Sequence, residues 1–143
     1  IRADLPQDIP LIGFGGAPFT LASYAIEGQG SKNYVHVKQL MYGDSVAWHV
    51  LMEKITDAAI DYLNEQIDAG VQAVQIFDSW VGALGPSEFE RFVQPHSQRL
   101  FDGISGRVPV IHFGTGNPAL SGAMARSGGD VLALDWRSDL MAT

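Results

Sequence analysis

Four short apolar runs, each parted from the next by helical sequence, constrain this chain more than any other feature. They are residues 9–16 (IPLIGFGG), 71–80 (VQAVQIFDSW), 108–114 (VPVIHFG) and 130–136 (DVLALDW). Each is apolar through its middle and ends on an aromatic or small polar group, and the first three run on into glycine. An apolar run of this length between a helix and a Gly/Pro loop reads as a strand buried in a parallel sheet. Polar groups at the ends of such strands are where open α/β sheets and barrels place their chemistry. The second run ends on Asp78-Ser79-Trp80 ahead of Gly82 and Gly85-Pro86, and the rest of the chain is arranged around it.

The intervening sequence is helical. Pro18 suits the first turn of a short helix closed by Gly28 and Gly30. Ser31 is positioned to cap a second helix through about Met41, with Gly43 as its stop. From Ser45 to Ala69 runs the longest helix, with Val50, Leu51, Ile55, Ala58, Ala59, Tyr62, Leu63 and Ile67 at helical spacing. Lys54, Asp57, Asp61, Glu65 and Asp68 fall between them and face water, and Gly70 ends the pattern. Ser87-Glu88-Phe89-Glu90 reads as a capping box opening a helix to about Phe101. Asn117-Pro118 starts a last short helix that Gly128-Gly129 ends. Strands always separated by helix are the mark of a parallel sheet, either half of an eight-stranded barrel or a small open sheet.

A chain of 143 residues, 46% hydrophobic and 17% charged, is read as one domain over residues 1–143 with a substantial core. It is too short for a complete barrel, which takes about 250 residues. Ile1 is not an initiator, and Arg2-Ala3-Asp4-Leu5 reads as mid-chain sequence. No run approaches the roughly 18 apolar residues of a membrane span, and no signal peptide is visible. The absence of cysteine removes disulfides, thiolate metal sites and a cysteine nucleophile, and fits a cytoplasmic protein. A net charge of −7 argues against nucleic acid as a partner. It also opposes binding of a polyanion unless cations gather at one place.

His36, His49 and His96 read as helix surface, and none pairs in a metal-binding spacing. His112, near a strand end, reads as a packed interior histidine ahead of a catalytic one. Asp78 and Ser79 form no triad without a placed histidine. Ser79 donating to a ligand carboxylate, with Asp78 orienting the loop, accounts for the pair as well as ordinary loop capping does. Phe14, Phe77, Phe113 and Trp136 all end strands; Phe14 and Phe77, beside the polar rim, are the stronger candidates for the wall of an apolar cavity. Gly13-x-Gly15-Gly16 lacks the spacing of a dinucleotide fingerprint.

Taken together, these residues resemble the uroporphyrinogen decarboxylase family. The resemblance is carried by residues 10–21 (PLIGFGGAPFTL) with 24–31 (YAIEGQGS), and by 75–80 (QIFDSW) with 84–86 (LGP). Residues 108–114 and 132–136 agree in spacing. The match runs over nearly the whole chain but only the middle of the family's single (β/α)8 TIM barrel. It implies an α/β fold, a partial barrel whose four parallel strands correspond to the family's third to sixth.

It further implies cofactor-independent removal of the carboxyl groups from the four acetate side chains of uroporphyrinogen, giving coproporphyrinogen, in a homodimer. Protonating the electron-rich pyrrole makes that ring the electron sink a cofactor would otherwise supply. By the same resemblance Tyr24 is the pocket tyrosine at the reacting carboxylate and Ser79 binds a side-chain carboxylate. Phe14 and Phe77 form the pocket wall.

The family's catalytic aspartate (an FSD segment), the arginines of its MRQAGR segment and the histidine of a late GHG segment have no counterpart here. Arg91, Arg99 and Arg126 on helices and Arg107 on the opposite rim are poor substitutes, so the isolated chain is expected to be inactive. Two other readings compete. A corrinoid-linked methyltransferase relative would need a His-x-Cys zinc segment, where this chain has Gly114. A non-catalytic half-barrel would bind partners or dimerise through its open edges.

Overall fold

The structure is a computed structural model that describes residues 1–28, 30–104 and 106–139. After a 3-10 turn at Arg2–Asp4 the order is β1 (Ile12–Gly16), α1 (Pro18–Glu27), α2 (Val35–Gly43), α3 (Ser45–Asp68), β2 (Ala73–Asp78), α4 (Pro86–Phe92), α5 (Gln94–Ile104), β3 (Val110–Gly114), α6 (Ser121–Ser127) and β4 (Val131–Leu134). The four strands are parallel and lie in sequential order β1-β2-β3-β4.

Which face each residue takes follows from the two-residue period of a strand. Val74, Ile76 and Asp78 of β2, with Val110, His112 and Gly114 of β3, are buried under the helices. Their neighbours Gln75, Phe77, Ile111 and Phe113 face the other way and are only partly covered. On that second face Ile12, Phe14 and Val131 are 51, 61 and 50% exposed. A doubly wound sheet reverses its strand order and carries helices on both faces. Sequential order with helices on one side only is an arc of a (β/α) barrel, here not closed. The exposed apolar face is the inner wall of that arc.

The core lies between the sheet and its helices in two clusters. One, toward the C-terminal ends of the strands, gathers Phe19, Trp48, Met52, Phe89, Leu120 and Met124. The other gathers Leu63, Ile67, Val74, Ile76, Leu100 and Val110. Burying each large apolar side chain contributes about 1.5–3 kcal/mol. Trp48 satisfies its indole by donating to the Phe92 carbonyl at 2.9 Å. Among the described residues no helix is long and apolar enough to cross a membrane.

Several local expectations are corrected. The stripe of α3 is displaced: Trp48, Met52, Thr56, Ala59, Leu63 and Ile67 are buried, whereas Val50 and Tyr62 are exposed. The helix lies over β1 at the sheet's edge, so one flank of its apolar surface has no neighbour among the described residues. The helix expected from Ser87 to Phe101 is two, broken where Val93 leaves helical geometry (φ −123°, ψ −48°). Its N-cap is Gly85, whose N–H donates to Glu88 Oε2 at 2.6 Å. Ser31 does not cap α2 directly; its Oγ accepts the N–H of Tyr34, which occupies the N-cap with φ 50°.

Candidate functional site

The C-terminal ends of the four strands share one rim, and the sequence there folds to hold side chains in place. After β1, Ala17 extends the ladder by donating to the Phe77 carbonyl at 2.9 Å, and Pro18 opens α1. Thr20, in the first turn of α1, donates from Oγ1 to Asp78 Oδ1 at 3.1 Å. The same hydroxyl accepts the N–H of Trp80 at 3.3 Å. Asp78 is fully buried. It ties α1 to the loop after β2, a contact that loop capping and an orienting role both predict.

Trp80 is the hub of the rim. Tyr24, 48% exposed near the end of α1, meets it edge-on with ring centroids 5.8 Å apart. Tyr34 meets it at 6.0 Å. Trp80, Tyr34 and Ser79 line a cleft of about 430 Å³ together with Lys32, Thr115 and Arg137. Tyr24 touches Trp80, the chain neighbour of Ser79, but is not among the residues that line the cleft. The Tyr34 phenol is held above its ordinary pKa by burial first, then by Tyr24 and Glu27.

Phe14 and Phe77 share the sheet's inner face and touch edge-to-face at 6.1 Å. Phe113, given less weight from sequence, continues the row at 5.7 Å from Phe77. Its register opposite Phe77 was the missing information, because strand pairing alone puts the two side by side. Trp136 is 85% exposed and joins no wall.

His112 is an interior histidine. It lies on the helix-covered face, fully buried, its ring 4.7 Å from Phe101 and its Nε2 3.8 Å from Asp78 Oδ2. The surface reading of His96 is wrong. It is 5% exposed, and its Nε2 lies 2.8 Å from His49 Nδ1 between α3 and α5. Burial, the neighbouring His49 and Arg99 lower its pKa to about 4, against a raising effect of Glu53. A lone histidine on a mixed helix face gives no sequence signal of such a pairing.

The arginines judged poorly placed are engaged in the helical layer or the far rim. Arg99 pairs with Asp57 at 2.6 Å and Arg126 with Glu90 at 2.7 Å. Arg107 pairs with Asp68, and Arg91 lies over the Phe92 ring. Sequence reasoning overlooked Lys32 and Arg137, the two cations that do reach the rim cleft. Arg137 was legible in principle, since it lies just past the end of the fourth strand.

The end of β4 is a compact anchor. Asp135 accepts from Thr115 Oγ1 at 2.5 Å, from the N–H groups of Gly116 and Arg137 at 3.0 Å each, and from Arg137 Nη1 at 2.6 Å. The Thr115 hydroxyl first, then these N–H donors, hold its carboxyl well below the usual carboxylate range. Among the described residues no cluster of three or more His, Asp or Glu is arranged to hold a metal ion.

Comparison with known proteins matches the sequence to a family. The chain is 52% identical over 141 residues to the uroporphyrinogen decarboxylase of Carboxydothermus hydrogenoformans, covering 98% of this chain and 40% of that protein. It is 52% identical over 141 residues to a uroporphyrinogen decarboxylase of Thermus thermophilus, covering 98% and 41%. With that of Nocardia farcinica it shares 54% over 141 residues, covering 98% and 40%. The chain thus spans about 40% of the length of the curated relatives it matches. The family profile for uroporphyrinogen decarboxylase (URO-D) matches residues 1–143, end to end, and the chain belongs to that family.

Proposed function

We propose that this chain is a segment of a uroporphyrinogen decarboxylase, and that its strand-end rim holds a tetrapyrrole polycarboxylate while acetate side chains lose CO2. The observation that carries this is the contact of Tyr24 with Trp80, next to Ser79 in the rim cleft, in a chain matched end to end by the family. In the reaction the pyrrole ring is protonated, and the bond from the side-chain methylene to its carboxyl carbon breaks. The electron pair is drawn into the ring, CO2 leaves, a second proton on the methylene completes the methyl group, and the ring gives up the first proton to restore the pyrrole. Tyr24 donates its phenolic hydrogen to the reacting carboxylate, and Ser79 donates to a second side-chain carboxylate. Phe14 and Phe77 pack against the apolar macrocycle. Holding and orienting the ring is the contribution these groups make. Cytoplasmic location, supported by the cysteine-free sequence, belongs to the same reading.

The catalytic aspartate and the substrate arginines belong to segments with no counterpart in this chain, so the 143-residue chain binds the ligand without turning it over. Titration with the oxidised analogue uroporphyrin tests this. Tyr24→Phe and Ser79→Ala should each weaken binding by about 1–2 kcal/mol, roughly five- to thirtyfold. Unchanged binding in both variants, or turnover of uroporphyrinogen by the chain alone, would overturn the reading.

Self-association is also proposed. β1 and β4 end an unclosed arc, and strand edges left open in this way favour pairing with a second chain. Sedimentation velocity of the purified chain would show a dimer if this holds and a monomer if it does not.

A further inference from the structure

We propose that the cleft between Lys32 and Arg137 is a subsite for the carboxylate arms of the ligand, and that these two residues supply cations the acidic chain otherwise lacks there. The inference deepens the decarboxylase reading and rests on it for the identity of the ligand.

The distribution of positive charge makes the first case. Of nine Lys and Arg residues, Arg99, Arg107, Arg126 and Lys38 are paired with acids, and Arg91 sits over a ring. Arg2 donates to the carbonyls of Leu5, Pro6 and Ile9 near the N-terminus. Lys54 is exposed on α3. Arg137 is paired too, with Asp135 at 2.6 Å, and Lys32 remains; the two, from chain segments about a hundred residues apart, both line the cleft that holds Ser79. In a chain of net charge −7, two cations on one small concavity are a local reversal of sign.

Both positions are built. Arg137 is fixed by its N–H and Nη1 contacts to Asp135 and by stacking over Trp136 at 4.6 Å. This leaves Nε and Nη2 outside the Asp135 contact, in the fixed fork geometry that suits a carboxylate. Asp135 offsets part of the charge, so Arg137 acts as an oriented donor and Lys32, with no acidic partner among the described residues, as the net positive charge. Lys32 follows Ser31, whose hydroxyl holds Tyr34 in left-handed geometry, a conformation non-glycine residues seldom adopt. Trp80, in the same cleft, carries a buried indole N–H without a hydrogen-bond partner among the described residues.

Carboxylate is favoured over phosphate. The usual phosphate grip is a free helix N-terminus, and the nearest one, of α2, is taken: Glu27 Oε1 accepts from the N–H groups of His36 and Val37 at 3.0 and 3.1 Å. At about 430 Å³ the cleft suits side-chain arms and not an enclosed macrocycle.

The test is titration of the 143-residue chain with uroporphyrin, followed by tryptophan fluorescence, for the wild type, Lys32→Gln, Arg137→Gln, the double variant and Lys54→Gln as a charge control. Each single loss should weaken binding about tenfold, the double more, with a shallower salt dependence, while Lys54→Gln binds as wild type. Circular dichroism confirms that the variants fold. In parallel, calorimetry with benzene-1,3,5-tricarboxylate and with inorganic phosphate probes the cleft without a tetrapyrrole. If uroporphyrin fails to bind but the tricarboxylate binds in a Lys32- and Arg137-dependent way, the subsite stands and the tetrapyrrole reading falls. If uroporphyrin binds the double variant as tightly as wild type, the subsite falls and the decarboxylase reading survives. Phosphate binding more tightly than the tricarboxylate, or no wild-type response to any probe, overturns the proposal.

Discussion

Thr20 and Asp78 are joined by a buried hydrogen bond of 3.1 Å between the first turn of α1 and the last residue of β2. Because the Thr20 oxygen also accepts the Trp80 N–H, one hydroxyl sets the position of the rim's central ring. Thr20→Val keeps the shape and removes both interactions, leaving Asp78 Oδ1 buried and unpaired. Thermal or urea unfolding should show a loss of about 1–3 kcal/mol, with a changed near-ultraviolet signal from Trp80. Thr20→Ser should restore most of both.

Gly82 lies against the loop after β3. A Cβ there would sit 2.5 Å from the Thr115 carbonyl oxygen and 2.8 Å from Gly116 Cα. These are backbone atoms that no side-chain rotation can move aside. Gly82→Ala is therefore expected to push the two loops apart, costing about 1–3 kcal/mol as overpacking does and weakening uroporphyrin binding at the rim cleft. A wild-type denaturation midpoint would contradict the close approach.

His96 gives the fold an acid weakness. Its ordinary pKa of 6.5 falls to about 4 in the folded chain, through burial, His49 and Arg99, with Glu53 opposing. Between those values the unfolded chain takes up a proton that the folded chain refuses, so stability is complete above pH 6.5 and declines as pH falls toward 4. The effect is on the order of 3 kcal/mol. His96→Gln, which keeps a partner for His49, should flatten urea midpoints across that window.

Asp135 acts in the opposite sense. Its carboxyl is held low by Thr115, Gly116 and Arg137, so its contribution is present above the ordinary carboxylate pKa and is lost on acidification below it. Asp135→Asn should lower stability at neutral pH and converge with the wild type in acid. It should also free Arg137, so uroporphyrin binding at neutral pH weakens even though a negative charge has been removed.

Much of this fold is legible because each strand is a short apolar run and each helix carries its own stops, as Gly28 and Gly70 show with φ of 75° and 95°. The one-sided placement of the helices is less legible. Phe14 and Phe77 are as apolar as any core residue, and only strand register assigns them to the bare face. The break at Val93 is announced by Pro95, which cannot continue a helix from the preceding turn and stands at the second position of α5; the reading of one continuous helix passed over it. At the site, Tyr24 is proposed from a resemblance alone and Ser79 from that and its place at a strand end, since neither residue type is diagnostic alone. Lys32 and Arg137 escaped because their meeting depends on loops that close over distant sequence. The His49–His96 contact depends on the packing of α3 against α5, and no local periodicity encodes a pairing between helices.

At the outer edge of β1, the carboxamide of Gln66 accepts the Phe14 N–H at 3.0 Å and donates to the Phe14 carbonyl at 2.9 Å. A single side chain thereby copies the peptide unit of an absent neighbour. Exposed strand margins invite fibrous growth unless something blunts them, and here the stopper is a hinge of a few rotatable bonds. Swinging it outward would admit a further strand without rebuilding the backbone, so the same residue guards the isolated margin and can stand aside for a longer sheet.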